Sequence, residues 1–143
     1  MTRTGLHEHR GRDLDTVEEV TEFVTRFYRE IAQDPHFHLY FETLAHVDWY
    51  AHTLELTDFW TGVLFESPHT DADTVIESHR WLHEAAPFDT ALFDLWLEIL
   101  DSTLDGGWTG TMAERARKRG HGIAWAMAHR IVGPNAAPIV RRM

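Results

Sequence analysis

Along this chain apolar residues return at three- and four-residue steps, the period of a helix that buries one face. The first such run holds Val17, Val20, Phe23, Val24, Phe27, Tyr28 and Ile31. Thr16 followed by Glu19 has the spacing of a capping box, so a helix is expected from Thr16 to Asp34-Pro35, where proline ends it. A short aromatic segment, Phe37 to Phe41, precedes a second helical run from about Val47 to Phe65, with Trp49, His52, Leu56, Phe59, Trp60 and Val63 near one side. Ser67-Pro68 interrupts the pattern, and Asp71 or Asp73 can cap a shorter helix that reaches Glu84 and carries His79 and His83. Beyond Pro87, a strongly amphipathic helix is expected from Asp89 or Thr90, with Leu92, Phe93, Trp96, Leu97, Leu100 and Leu104 facing inward and Gly106-Gly107 as its stop. Thr111 and Glu114 form a second capping-box spacing ahead of a last helix through Ile123, Met127 and Ile131 to Gly133-Pro134. No run alternates with the period of a half-buried strand and no internal repeat occurs, so the expected class is all-α, with four main helices and shorter pieces between them.

With 143 residues the chain fits one domain: residues 13–132 as the folded unit, with 1–12 and 133–143 as flexible tails. Apolar residues at 43% and charged residues at 25% match a soluble globular chain and exclude a disordered or fibrous one. Charges interrupt every apolar run well short of the roughly 20 residues that a membrane span needs. Met1 to Arg12 lacks the apolar core of a secretory signal, so a cytoplasmic protein is expected. The absence of cysteine excludes disulfides, zinc–thiolate sites and iron–sulfur clusters, and any metal must be held by other side chains. A formal charge of −10 repels nucleic acid phosphates, and the only basic run is Arg115 to Arg119, so nucleic acid is not an expected partner. Twelve arginines against the single Lys118, with many alanines, fit a GC-rich bacterial genome.

Eleven histidines and six tryptophans are the unusual part of the composition, and both side chains are common around cofactors. A helical protein without cysteine can hold haem iron through a neutral imidazole and leave the opposite axial position open. His79 and His83, four residues apart in the short helix, are expected to point to the same face, and either could reach such an iron. On spacing alone the pair also fits a zinc half-site or two solvent-facing histidines. His52 falls on the apolar side of its helix beside Trp49 and Leu56, and Tyr28 lies at the inner edge of the first helix. Both positions, like Trp96, also suit ordinary core residues.

The order of these residues along the chain resembles the truncated haemoglobins, most closely their group III branch. The resemblance is carried by Phe27-Tyr28 with Asp34-Pro35 and Phe41, then by Trp49 and His52 with Asp58-Phe59-Trp60. It continues through a histidine-bearing segment to Phe93-Asp94-Leu95-Trp96-Leu97, Thr103-Leu104-Asp105 and an alanine- and arginine-rich final helix. It spans roughly Asp13 to Ile131. It implies a globin-like two-over-two helical sandwich binding haem b (iron protoporphyrin IX), with His79 as the proximal iron ligand, Phe41 packed on the haem and Leu56 as a distal apolar wall. Tyr28, His52 and Trp96 are implied as the distal residues facing dioxygen or another diatomic ligand. Leu82, three residues after His79, and the distance back from Trp96 favour His79, with His83 as the alternative. A reductase partner is implied too, and dioxygenase or peroxidase-like chemistry is open to such a site.

Two other classes compete. A non-haem metal bundle would use groups such as His52, Glu55, Glu77 and His83, but the Glu-x-x-His spacing it requires is missing from the main helices, and its one instance, Glu66 to His69, contains Pro68. A cofactor-free interaction domain would use all the aromatics as core. The remaining histidines, including His36 and His38 on either side of Phe37, are expected to face solvent, as is the Arg115 to Arg119 run.

Overall fold

The structure is a computed structural model that describes residues 12–44, 48–66 and 72–133. Most of both expected tails, the break at Ser67-Pro68, the Asp71 cap and His7, His9, His46 and His69 lie outside the described residues. Helix α1 spans Val17–Gln33 and the single-turn α2 spans Pro35–His38, followed by a π-helical turn, Leu39–Leu44. Then come α3 (Trp49–Phe65), α4 (Ala72–Ser78), α5 (Arg80–Ala85), α6 (Thr90–Gly107), α7 (Thr111–Met127) and a closing π-helical turn, Ala128–Val132. Among the described residues there is no strand, only an isolated bridge between Arg12 and Trp108.

Local chemistry sets most of these boundaries. The Thr16 hydroxyl accepts the Glu19 amide at 3.2 Å, as the capping box predicts. Asp48 accepts the amides of Tyr50 and Ala51 at the start of α3, and Asp89 accepts that of Leu92 at the start of α6. The second capping box does not form. Gly110 is the N-cap of α7, and the amides of Met112 and Ala113 donate instead to the two carboxylate oxygens of Asp13, at 3.0 and 2.7 Å. Gly110 has φ +128°, and a Cβ there would lie 2.6 Å from that carboxylate, so glycine is required on both counts. Arg12, expected in the tail, is tied into the same corner: its carbonyl accepts the Thr109 amide at 2.7 Å and its guanidinium pairs with Glu19 at 2.9 Å.

Helices α1 and α7 each pack against both α3 and α6. Where α7 crosses α6, a Cβ on Gly120 would meet Leu100 at 2.4 Å, so the missing side chain permits the close approach. An aromatic column runs through the centre. Phe23 stacks on Phe27 and meets the edges of Trp60 and Trp108, with ring centroids 5.4 to 5.9 Å apart. Phe27 in turn touches Tyr28 and Trp96. Each such pair adds about 0.5–1.5 kcal/mol beyond its area burial, so this column is the stiff part of the molecule.

Asp13→Ala removes the acceptor for two α7 amides. Loss of a helix cap costs about 0.5–2 kcal/mol, so the urea midpoint should fall correspondingly; an unchanged midpoint would show that α7 is capped by other means.

Candidate functional site

The column ends at a cavity of about 460 Å³, within the range of about 300–1,000 Å³ usual for cofactor and ligand sites. Its walls are Tyr28 of α1, Tyr40 and Phe41 of the π-helical turn, His52, Leu56 and Trp60 of α3, Val75, His79 and Leu82 of the α4–α5 segment, Phe93 and Trp96 of α6, and Ile123 and Met127 of α7. All six residues that the resemblance implies around the group, Tyr28, Phe41, His52, Leu56, His79 and Trp96, thus line one space, together with Trp60. No arginine or lysine is in this lining, which offers a bound group ring and aliphatic walls, a few neutral polar groups and the Glu55 carboxylate.

His79 lies where the chain departs from the expected single helix towards Glu84. That helix is split into α4 and α5. The Val75 carbonyl accepts Ser78 Oγ at 2.6 Å and His79 Nδ1–H at 2.8 Å, while the His79 amide turns to the Ile76 carbonyl at 3.1 Å. Side chains have displaced the backbone from its own ladder, which ends α4 after Ser78. The consequence for the imidazole is chemical. With its proton on Nδ1, His79 keeps a free lone pair on Nε2, the arrangement a metal ligand needs. Burial lowers its pKa below the ordinary 6.5, against a smaller raising effect of the Val75 carbonyl, so the neutral form dominates.

The break falls before His79, whose carbonyl still accepts the His83 amide at 3.2 Å, yet the two imidazoles are used differently. His83, on α5, does not line the cavity; its Nδ1 accepts the Phe88 amide at 2.8 Å and its ring lies against Phe88. A neutral imidazole accepting at Nδ1 carries its proton on Nε2 and has no lone pair left there.

On the opposite wall, the Tyr28 hydroxyl accepts the Trp60 indole N–H at 3.5 Å. Burial pushes its pKa up to about 12, only partly offset by that hydrogen bond, so the phenol stays a neutral donor. Trp60, itself fully buried, was visible in the sequence only as a bulky residue on α3, because its partner is 32 positions away. His52 is ringed by Tyr28, Phe41 and Trp49, with centroids 5.8 to 6.3 Å away. Its pKa is lowered, first by burial and also by the charge of His79, while Glu55 acts in the raising direction. The Tyr40 hydroxyl donates to the Ala86 carbonyl at 2.9 Å and ties the π-helical turn to the far end of α5.

The residues of the non-haem alternative are not brought together. Glu77 pairs with Arg80 and Arg130 and His83 caps Phe88, while His52 and Glu55 line the cavity. Among the described residues no group of three or more histidine, aspartate or glutamate side chains could hold a metal ion. Arg115 donates to the Leu64 carbonyl and Arg117 pairs with Asp101 and Asp105. His36 and His38 are exposed, as expected. No described helix is long and apolar enough to cross a membrane.

The two lowered histidines predict a pH dependence. Above their ordinary value of 6.5 folded and unfolded chains are both uncharged at these sites, and stability is full. Below it the unfolded chain takes up protons that the folded chain refuses, so stability falls as pH drops towards the folded values. The urea midpoint of the hemin-free chain should therefore decline as pH falls below 6.5, with a shallower decline in His52→Leu. An equal decline in that variant would place the titration elsewhere.

Comparison of the chain with models of known protein families, with curated proteins and with solved structures gave no match.

Proposed function

We propose that the chain is a haem protein of the truncated-haemoglobin kind, binding haem b in this cavity and taking dioxygen or another diatomic ligand at histidine-ligated iron. The observation that carries the proposal is the His79 imidazole: fixed by the Val75 carbonyl through Nδ1, it brings a neutral Nε2 to an apolar cavity with Tyr28, His52 and Trp96 also in its wall. The volume, the ring-lined walls and the single oriented imidazole suit a flat apolar macrocycle whose metal wants one nitrogen donor. When bound, the group would supply an iron able to take a diatomic gas.

The chain's own residues supply the rest. His79 holds the metal and Phe41 and Leu56 furnish apolar walls. Tyr28, with its oxygen already accepting from Trp60, has its own O–H left to donate. Trp96, in the same wall, brings an indole N–H as a second donor. Donors so placed favour a ligand on which negative charge develops, and exclude none of the uses open to such a site: carriage, or turnover of dioxygen, nitric oxide or peroxide with a reductase as partner. The pairings of α1 and α7 with α3 and α6 are those that a two-over-two sandwich would have, with α1 and α3 over α6 and α7.

Titration of the purified chain with hemin should produce an intense Soret band at one equivalent. His79→Ala should lose the spectrum of a histidine-ligated ferrous iron and His83→Ala should keep it; the reverse pattern would transfer the ligand role to His83, and no band in any variant would end the proposal. A hydrogen bond to a charged acceptor contributes about 1.5–3 kcal/mol, so Tyr28→Phe should speed dioxygen dissociation roughly ten- to hundredfold. An unchanged rate would remove Tyr28 from the ligand's surroundings.

A further inference from the structure

One carboxylate enters the cavity wall. Glu55 lies one helical turn beyond His52 on α3, and both line the cavity. His52 Nδ1 lies 3.8 Å from Glu55 Oε1, with 28% of the imidazole and 79% of the carboxylate side chain exposed. The pair therefore connects the half-buried wall to solvent. A gap of this length closes by rotation of an exposed side chain or by one bridging water.

A neutral imidazole carries one proton, and the nitrogen facing a carboxylate is where that proton is held. In the arrangement proposed below, Nδ1 of His52, the nitrogen 3.8 Å from Glu55, is that nitrogen. Nε2 then keeps its lone pair, so His52 meets a neutral ligand as a proton acceptor and not as a donor. The other titratable groups of the cavity wall are committed differently. Tyr28 of α1 is a neutral phenol, Tyr40 of the π-helical turn donates to Ala86, and His79 at the α4–α5 junction has its Nδ1 on Val75. Among them only His52 has both a free basic nitrogen and a carboxylate behind it to balance the charge it would gain. The same division of labour, a carboxylate orienting an imidazole that takes up a proton, recurs in unrelated hydrolases.

We propose that Glu55 and His52 form a carboxylate–imidazole dyad that accepts a proton from a neutral weak acid H–X entering the cavity. The use made of the anion rests on the haem proposal above; the dyad itself does not. In the step, the H–X bond breaks and its electron pair stays on X, while the proton bonds to the His52 Nε2 lone pair. The imidazolium so formed is balanced by the Glu55 carboxylate, and the proton can leave to solvent through that carboxylate. No oxidant or reductant is involved. Aprotic ligands such as carbon monoxide gain nothing from the dyad, so it biases the site towards protic ligands.

Hydrogen cyanide and carbon monoxide separate these cases, because the first is a neutral acid at pH 7 that binds ferric haem as its anion and the second binds ferrous haem without proton transfer. In the hemin-loaded chain, His52→Leu should slow cyanide association about a hundredfold or more, the lower end of what a positioned base contributes. Glu55→Ala should slow it several-fold, with carbon monoxide association unchanged in both, and Glu30→Ala, far from the pair in sequence and outside the cavity wall, should match the native chain. Unchanged cyanide rates in His52→Leu and Glu55→Ala, or a parallel fall for both ligands, would overturn the dyad, the latter by assigning the pair to ligand access. Nitrogen-15 NMR of the hemin-free chain gives a test independent of haem: His52 should be the Nδ1–H tautomer and shift towards Nε2–H in Glu55→Ala. An Nε2–H tautomer in the native chain refutes the dyad, whereas failure to take up hemin refutes the haem proposal and leaves the tautomer to decide this one.

Discussion

In an uninterrupted helix the Val75 carbonyl would accept the amide of His79. Here it accepts the Ser78 hydroxyl and the His79 ring instead, at 2.6 and 2.8 Å. Each hydrogen bond of this kind is worth about 0.5–1.5 kcal/mol net, so exchanging a backbone partner for side-chain partners changes stability little. It changes geometry a great deal. The chain bends between α4 and α5, the imidazole is tethered at one nitrogen, and the residues that follow are free to take a different path from the one an unbroken helix would impose.

That path leaves the cavity with two unlike sides. On one, the column of Phe23, Phe27, Trp60 and Trp108 fills the space between α1, α3 and the end of α6, and the residues that carry Tyr28 and Trp96 are anchored in it. On the other, α5 has no fully buried residue, only Leu82 of it packs on the core, and polar contacts tie its end: Tyr40 to the Ala86 carbonyl and the Phe88 amide to His83. Segments with few buried apolar contacts open at lower free energy than the core. The His79 side of the cavity is therefore the side able to adjust around a bound group, while the Tyr28 side keeps its shape.

What could be read in the chain beforehand follows the same division between local and remote causes. The Thr16 cap and the inward stripe of α6 depend on residues within one or two turns, and both appear where periodicity puts them. The cap of α7 does not, because Asp13 reaches its amides from the far end of the chain and leaves Thr111 with no amide to serve. The different uses of His79 and His83 were hidden for a subtler reason. Both lie in one helical turn, the His83 amide donating to the His79 carbonyl at 3.2 Å, and the bond that engages His83 comes from the Phe88 amide, beyond the end of that helix. Along α3 the apolar pattern runs nearly all round the helix, with Tyr50 and Leu54 exposed, so periodicity marked His52 and Leu56 as inward without showing that the space they face is a cavity.

The charges around that cavity obey one rule. Desolvation holds Tyr28 in its protonated form and drives His52 and His79 towards theirs without charge, so the three groups that face a ligand are all neutral at pH 7. A carboxylate buried among them would be expensive to keep ionised. Glu55 avoids this by standing at the mouth, where water solvates it, yet within 3.8 Å of the one imidazole whose other nitrogen is uncommitted. An exposed charge at that distance still favours a nearby imidazolium, by up to about 1 kcal/mol once solvent screening is counted. Charge can thus appear inside the cavity when a proton is transferred, and be balanced from the rim, without any ionised side chain residing within the apolar walls beforehand.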